Sequence, residues 1–303
     1  MTDYAPSGSA DRARRRRGVA CPAGLTLANL RAEARAVWEC NVKEWKIELA
    51  YPISFARHLA EPLVFLFPLL LYGFALVGGR YSESLGRLVG AGDIVTYIFV
   101  GYMIMGFIGT AVWAMGFSIR REQWFGTLES IYATPTSRLS LVLGMALHST
   151  VHQSLATAVE FIVVYSVFGL ALRVEGVLPC LLILALMMLA LYGFGIFVSA
   201  LGLVLKEGWV VAEALYSVMM ILSPVAYPLA VLPNIAQRIS GLFPTAPALV
   251  GMRSFIMEGY TPKAVGNVFM HLLGLDVAWL LFGFAVFRLT DVFVRKRGTL
   301  GKY

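Results

Sequence analysis

Charged residues are in short supply in this chain. They make up 14% of its 303 residues, against about 25% in soluble domains, while hydrophobic residues reach 58%. That balance excludes a soluble globular protein and defines an integral membrane protein. Cysteine is just as sparse. Cys21, Cys40 and Cys180 form no C-x-x-C pair and no even framework, so neither a disulfide scaffold nor a zinc site is indicated. A phosphate-cradling G-x-x-x-x-G-K-[ST] loop is also missing: Gly298-Thr299-Leu300-Gly301-Lys302 lacks both the spacing and the hydroxyl residue after the lysine. Nucleotide hydrolysis is not expected of this chain. No apolar core separates Arg14-Arg15-Arg16-Arg17 from Cys21, so neither a twin-arginine signal nor a lipoprotein box is expected there.

The charge that is present has a sign and a place. The net charge is +7, and the basic residues flank apolar runs, where they set orientation and meet anionic lipid. Nucleic acid is therefore not an expected partner. Residues 1–26 read as a disordered basic tail. Residues 27–58 read as a cytoplasmic amphipathic and elbow segment: Leu27, Leu30, Ala34, Trp38, Val42, Trp45 and Leu49 recur at helical steps, while Arg31, Arg35, Glu39, Lys43 and Lys46 track another face. Pro52 and Pro62 punctuate the turn into the membrane. Six spans follow, at Leu59–Val77, Ile94–Ser118, Leu139–Leu170, Val177–Leu205, Val210–Leu232 and Val268–Leu289. They form a six-span domain over residues 59–290, with a basic tail at 291–303. With the N-terminus inside, 19 of the 25 lysines and arginines lie on the inner side, so both termini are expected in the cytoplasm. Ser223-Pro224, Tyr227-Pro228 and Pro233 break the fifth span, and Gly241, Pro244 and Pro247 divide the segment after it into two short helices that re-enter the outer leaflet. An ordinary extracellular loop is the plainer alternative. The expected fold class is an all-α integral membrane protein with six transmembrane helices, an N-terminal interfacial helix and short re-entrant outer helices between spans five and six.

One polar segment, Arg120 to Arg138, interrupts the apolar pattern without ending it. Trp124, Leu128 and Ile131 fall at helical spacing there, which predicts one short amphipathic helix near the membrane surface. Gly126-Thr127 supplies its start, with Thr127 as a cap, and Pro135 its end. Glu122, Gly126-Thr127-Leu128-Glu129, Pro135 and Arg138 resemble the cytoplasmic loop of type-2 ATP-binding-cassette (ABC) exporter permeases, which commonly reads E-x-x-x-G-T-L-E, a few apolar residues, then T-P and a basic residue. The resemblance implies that this loop is a coupling helix seated in a groove of a separate ATPase. It also implies a membrane subunit that is not itself an enzyme, with ATP and Mg on two ATPase copies and a second copy of this chain or a homologous permease as partner. A prokaryotic inner membrane is the expected location. Met145 departs from the pattern, since a lysine often follows the glycine at that place.

Several side chains inside the spans are candidates for chemistry. His148, His152 and Glu160 share one helix face, but His148 and Glu160 are too far apart at 1.5 Å per residue to hold one ion, so the stripe is read as a helix contact or the wall of a wet cavity. His271 and Asp276 would extend it only if the third and sixth spans meet. Glu160 and Asp276 are ionisable groups in the membrane and stand out for that reason. They keep open an alternative, a proton-coupled secondary transporter, although no inverted repeat is found. Within the family resemblance, spans two and five line the path, which points to Tyr97, Tyr102, Tyr216, Met219, Met220 and Tyr227 and to an amphipathic substrate such as a drug, lipid or glycolipid.

Overall fold

The computed structural model describes residues 27–90, 92–134, 136–170, 174–205, 208–225, 227–258 and 262–297. The expected tail at 1–26, the last six residues of the tail expected at 291–303 and the proposed terminator Pro135 lie outside the described residues, as do the side chains of Glu129 and Tyr132; residues 291–297 are not a tail but the end of the last helix. The described chain is helical apart from one isolated antiparallel bridge, Tyr81 to Asp93. It runs α1 (Leu27–Leu49), α2 (Pro52–Val77), α3 (Glu83–Val89), α4 (Ile94–Gly109), α5 (Ser118–Trp124), α6 (Leu128–Tyr132), α7 (Arg138–Phe168), α8 (Val177–Val204), α9 (Gly208–Leu222), α10 (Asn234–Ser240), α11 (Thr245–Arg253) and α12 (Pro262–Arg297). A π-helical stretch, Thr110–Met115, continues α4, and another, Ser254–Glu258, continues α11.

Among the described residues, five helices are long and apolar enough to cross a membrane: Pro52–Val77, Ile94–Met115, Arg138–Phe168, Val177–Val204 and Gly266–Val294. Burial sorts them into an inner and an outer set. The most apolar stretches of Ile94–Met115 and α8 are 61% and 56% buried, whereas those of α2, α7 and α12 are 11%, 17% and 22% buried. The exposed faces of the outer set carry Val64, Phe65, Leu71, Ile162, Leu281 and many like them. Such a surface is stable against lipid tails or a second apolar protein, and not against water. The core lies between α4, α8, α9 and α11, around Ile104, Phe107, Ile183, Met187, Leu191, Phe194, Met219 and Leu249. Helices α8 and α12 pack backbone to backbone at Gly193 and Gly283, where a Cβ on either residue would collide with the other helix.

The first span starts earlier than expected. Pro52 is the N1 residue of α2, where a missing N–H costs nothing, and the helix then runs through Pro62 and Pro68. Only the turn at Ala50–Tyr51 separates α1 from it. The fifth span stops short, because α9 ends at Leu222 instead of Leu232 and counts 15 residues. Beyond it, α10 and α11 are two short helices, and α11 sits inside the protein. Thr245, Ala246, Ala248, Leu249, Met252 and Arg253 are all buried. Arg253 donates to Pro224 O at 2.6 Å, Val225 O at 2.5 Å and Tyr97 O at 3.0 Å, and its guanidinium lies 3.4 Å from the Tyr97 ring centre. Ser223 and Thr245 hydroxyls meet at 2.5 Å, and Trp279 Nε1 donates to Leu242 O at 2.9 Å. The carbonyls freed where α9 breaks thus find donors, which is the condition for irregular backbone within an apolar surround.

Helix α1 turns a different face to the bundle from the one its apolar residues define. Trp38 and Leu49 are exposed, while Asn41 and Glu44 are buried against the rest of the protein. It approaches α7 closely at Gly144, where a Cβ would run into the Cys40 side chain and the Val37 carbonyl. The contact seam is acidic. Glu33 accepts from Ser137 N at 3.2 Å and Ser137 Oγ at 2.8 Å, Glu44 pairs with Arg121 at 2.5 Å and Lys43 at 3.3 Å, and Glu48 lies 3.1 Å from His148 and 3.0 Å from His152.

Candidate functional site

The polar segment between α4 and α7 folds as two short helices, not the single amphipathic one expected. Gly126, at φ +71°, makes the corner between them, a backbone state that glycine enters without the steric cost borne by other residues. Thr127 N donates to Glu122 O at 3.0 Å across that corner. Trp124 and Leu128 therefore lie on different helices and differ in burial. Trp124 and Phe125 are each 71% exposed, whereas Leu128 is buried beside Ile119, Leu141 and Val142, with Ile131 packed on the same cluster. Leu128 is thus engaged within its own chain, and the exposed apolar tip is Trp124-Phe125.

Glu122 does not point outward. It is buried, accepts from Thr127 Oγ1 at 2.5 Å, and is bound by Lys43 Nζ of α1, with Arg121 4.0 Å away. Burial by itself would raise its carboxyl pKa, but the hydrogen bonds from Lys43 and Thr127 and the nearby cations hold it below the usual carboxylate range. The same segment is fastened elsewhere. Arg120 donates to Leu205 O at the end of α8, Arg121 Nη2 lies 3.3 Å from Met145 Sδ, and Arg138 forms an ion pair with Asp291 of α12. The corner at Gly126 thus stands on a base tied to α1, α7, α8 and α12. The partners Glu33, Lys43 and Glu44 were not legible as such, although Glu33, Glu44 and Glu48 are spaced by eleven and four residues and so share one helix face.

A cavity of about 490 Å³ opens between α1, α2, α4, α7 and α9. Glu48, His58, His148 and His152 line one part of it, and Glu160, Tyr102 and Tyr216 another. Tyr102 Oη donates to Pro62 O at 2.8 Å. Both carboxylate oxygens of Glu160 are buried without a hydrogen-bond partner among the described residues. Asp276 on α12 is buried as well, away from this cavity and beside the α8 backbone at Ala190. The other residues expected along the path are spread out: Tyr97 lies under Arg253, Met219 is fully buried in the core, Met220 packs on that core, and Tyr227 donates to Ile221 O. His148 and His152 do share a face, but Glu48 and His58 join them there in place of His271 or Asp276. His271 instead contacts Gly241 O at 3.0 Å.

An all-helical bundle with apolar outer faces defines a multi-pass membrane protein. The chain belongs to the ABC-2 type transporter family, whose model matches residues 38–257, from the second half of α1 to the π-helical end of α11. Membership implies an ABC ATPase and a permease partner. No curated protein matches the chain.

Proposed function

We propose that the chain is the membrane-spanning permease subunit of an ATP-driven ABC exporter in a prokaryotic inner membrane. It works as a dimer, with itself or a homologous permease, on two copies of a separate ATPase that carry ATP and Mg. The observation that carries this reading, given the family, is the segment 118–138: an exposed Trp124-Phe125 tip on a corner whose base is fixed to four helices. A tip that is solvent-exposed and apolar suits insertion into a groove of another protein. A base without slack passes a displacement of that groove to α1, α7, α8 and α12 together.

The remaining parts fit the same arrangement. Helix α1 lies at the cytoplasmic interface, its outward Trp38 and Leu49 at headgroup and acyl depth and its acidic seam against the bundle. Helix α9, at 15 residues, crosses together with the α10–α11 re-entrant pair and makes the fifth of six spans. Both termini are then cytoplasmic. The cavity, which sets Phe65, Met105 and Met145 beside its carboxylates, imidazoles and tyrosines, suits an amphipathic cargo. Co-expression with an ATP-binding-cassette ATPase encoded beside it tests the reading: a stoichiometric complex with ATP-dependent transport is expected, and transport by the permease alone, without ATP, would overturn it.

A further inference from the structure

Three of the four histidines of this chain, His58, His148 and His152, gather around one carboxylate, Glu48. They come from three elements. Glu48 lies in the last turn of α1, His58 in the second turn of α2, and the other two lie one turn apart on α7. Glu48 Oε1 is 3.0 Å from His152 Nε2 and Glu48 Oε2 is 3.1 Å from His148 Nε2. Yet Glu48 Oε2 and His152 Nε2 are both buried and neither has a hydrogen-bond partner among the described residues. One donor atom each from Glu48, His58 and His152 falls within 4.8 Å of the others.

We propose that Glu48, His58 and His152 form a binding site for a divalent transition-metal ion of the zinc class. Two imidazoles and a carboxylate are a donor set that zinc accepts, with water completing a tetrahedron, and hard cations such as magnesium take oxygen donors instead. Size agrees. Donors at about 2.05 Å from a tetrahedral ion stand about 3.3 Å apart. The Glu48–His152 pair is already at 3.0 Å, and His58, on an exposed early turn of α2, closes the rest. His58 must exchange one contact to do so: Arg57 Nη2 lies 2.7 Å from its Nε2, and Arg57 keeps Glu61 as a partner at 2.7 Å. His148 Nε2, 3.1 Å from the second oxygen of Glu48, stands beside the site as a neighbour of that carboxylate. A bound ion joins the α1–α2 turn to α7 and so immobilises the cytoplasmic entry of the first span against the wall of the cavity.

The test uses the full chain purified in detergent through a tag without histidine. Titration with Co²⁺, followed by visible absorption, is expected to saturate at one ion per chain with the bands of a four-coordinate site, and added Zn²⁺ should displace it while Mg²⁺ does not. His58→Ala and His152→Ala should each weaken binding tenfold or more, and His271→Ala should leave it unchanged. Thermal unfolding of each variant without metal checks that it is folded; His58, being exposed, is the substitution least disruptive to the apo protein. Zn²⁺ should raise the melting temperature of the unsubstituted chain and not that of the double variant. Absence of saturable uptake, or equal uptake by the His58→Ala/His152→Ala protein, overturns the site. None of these readouts depends on transport or on an ATPase.

Discussion

At the scale of single residues, Glu122 shows how a motif position and its contacts are different kinds of information. Its place before Gly126-Thr127 is plain in the sequence, but its burial is not, because the groups that neutralise it, Lys43 and Glu44's partner Arg121, lie on or against a helix read only for its apolar face. Glu122→Gln keeps the shape and removes the charge, leaving Lys43 with a neutral acceptor. Because Lys43 is 40% exposed and can return to water, the expected loss is about 1 kcal/mol, below the range of about 1.5–3 kcal/mol for a hydrogen bond to a charged group. Proton linkage sets the pH dependence. A carboxyl held below its unfolded pKa stabilises the fold at pH above that value, and the contribution fades as the pH falls from about 4.5 through the lower folded pKa. Protection of the α1 amides, corrected for their intrinsic exchange rate, should therefore fall on acidification below pH 4.5 in the unsubstituted protein, and the Glu122→Gln protein should show that lowered protection already at neutral pH.

Elements were legible where their cause is local. The apolar runs of α4, α7 and α8 and the break of α9 at Ser223-Pro224 follow from composition and proline geometry, and the observed helices agree within a few residues. Pro52 and Pro62 misled because a proline can open a helix or sit within one when its neighbours absorb the lost bond. The inward face of α1 was hidden for another reason: its partners are hydroxyls, cations and imidazoles more than ninety residues away in most cases, and no periodicity records them. The corner at Gly126 is the element-scale place to intervene. Gly126→Val forces a β-branched side chain into left-handed geometry at a cost of about 1–2 kcal/mol, confined to the α5–α6 junction. Membrane insertion and melting temperature should change little, while co-purification of the ATPase and ATP-driven transport fall; unchanged transport with unchanged co-purification would make the corner a mere connector.

For the whole molecule, the cavity and the core ask for different substitutions although both draw on the same two helices, α4 and α9. Met219 is fully buried, so Met219→Ala should lower stability by about 2–5 kcal/mol and tell little about cargo. Tyr216 and Tyr102 line the cavity. Their replacement by alanine should reduce cargo-stimulated ATP hydrolysis by the assembled complex while leaving its basal hydrolysis in place. Equal stimulation in both alanine proteins would remove the cavity from the path.

The seam between α1 and the bundle also sets an order in time. Glu33 waits for Ser137, a residue 104 positions later, and Lys43 for Glu122, 79 positions later. At about 5–20 residues per second, a ribosome takes several seconds or more to make that stretch. During that interval α1 has emerged while the groups that will neutralise its carboxylates do not yet exist. On the interfacial placement proposed for α1, its outward Trp38 and Leu49 would rest on the lipid surface until α7 is inserted and the acidic seam can close. Docking of α1 is then expected only after α7 is made: a nascent chain halted before Arg138 should carry α1 open to protease and a chain released after Phe168 should not.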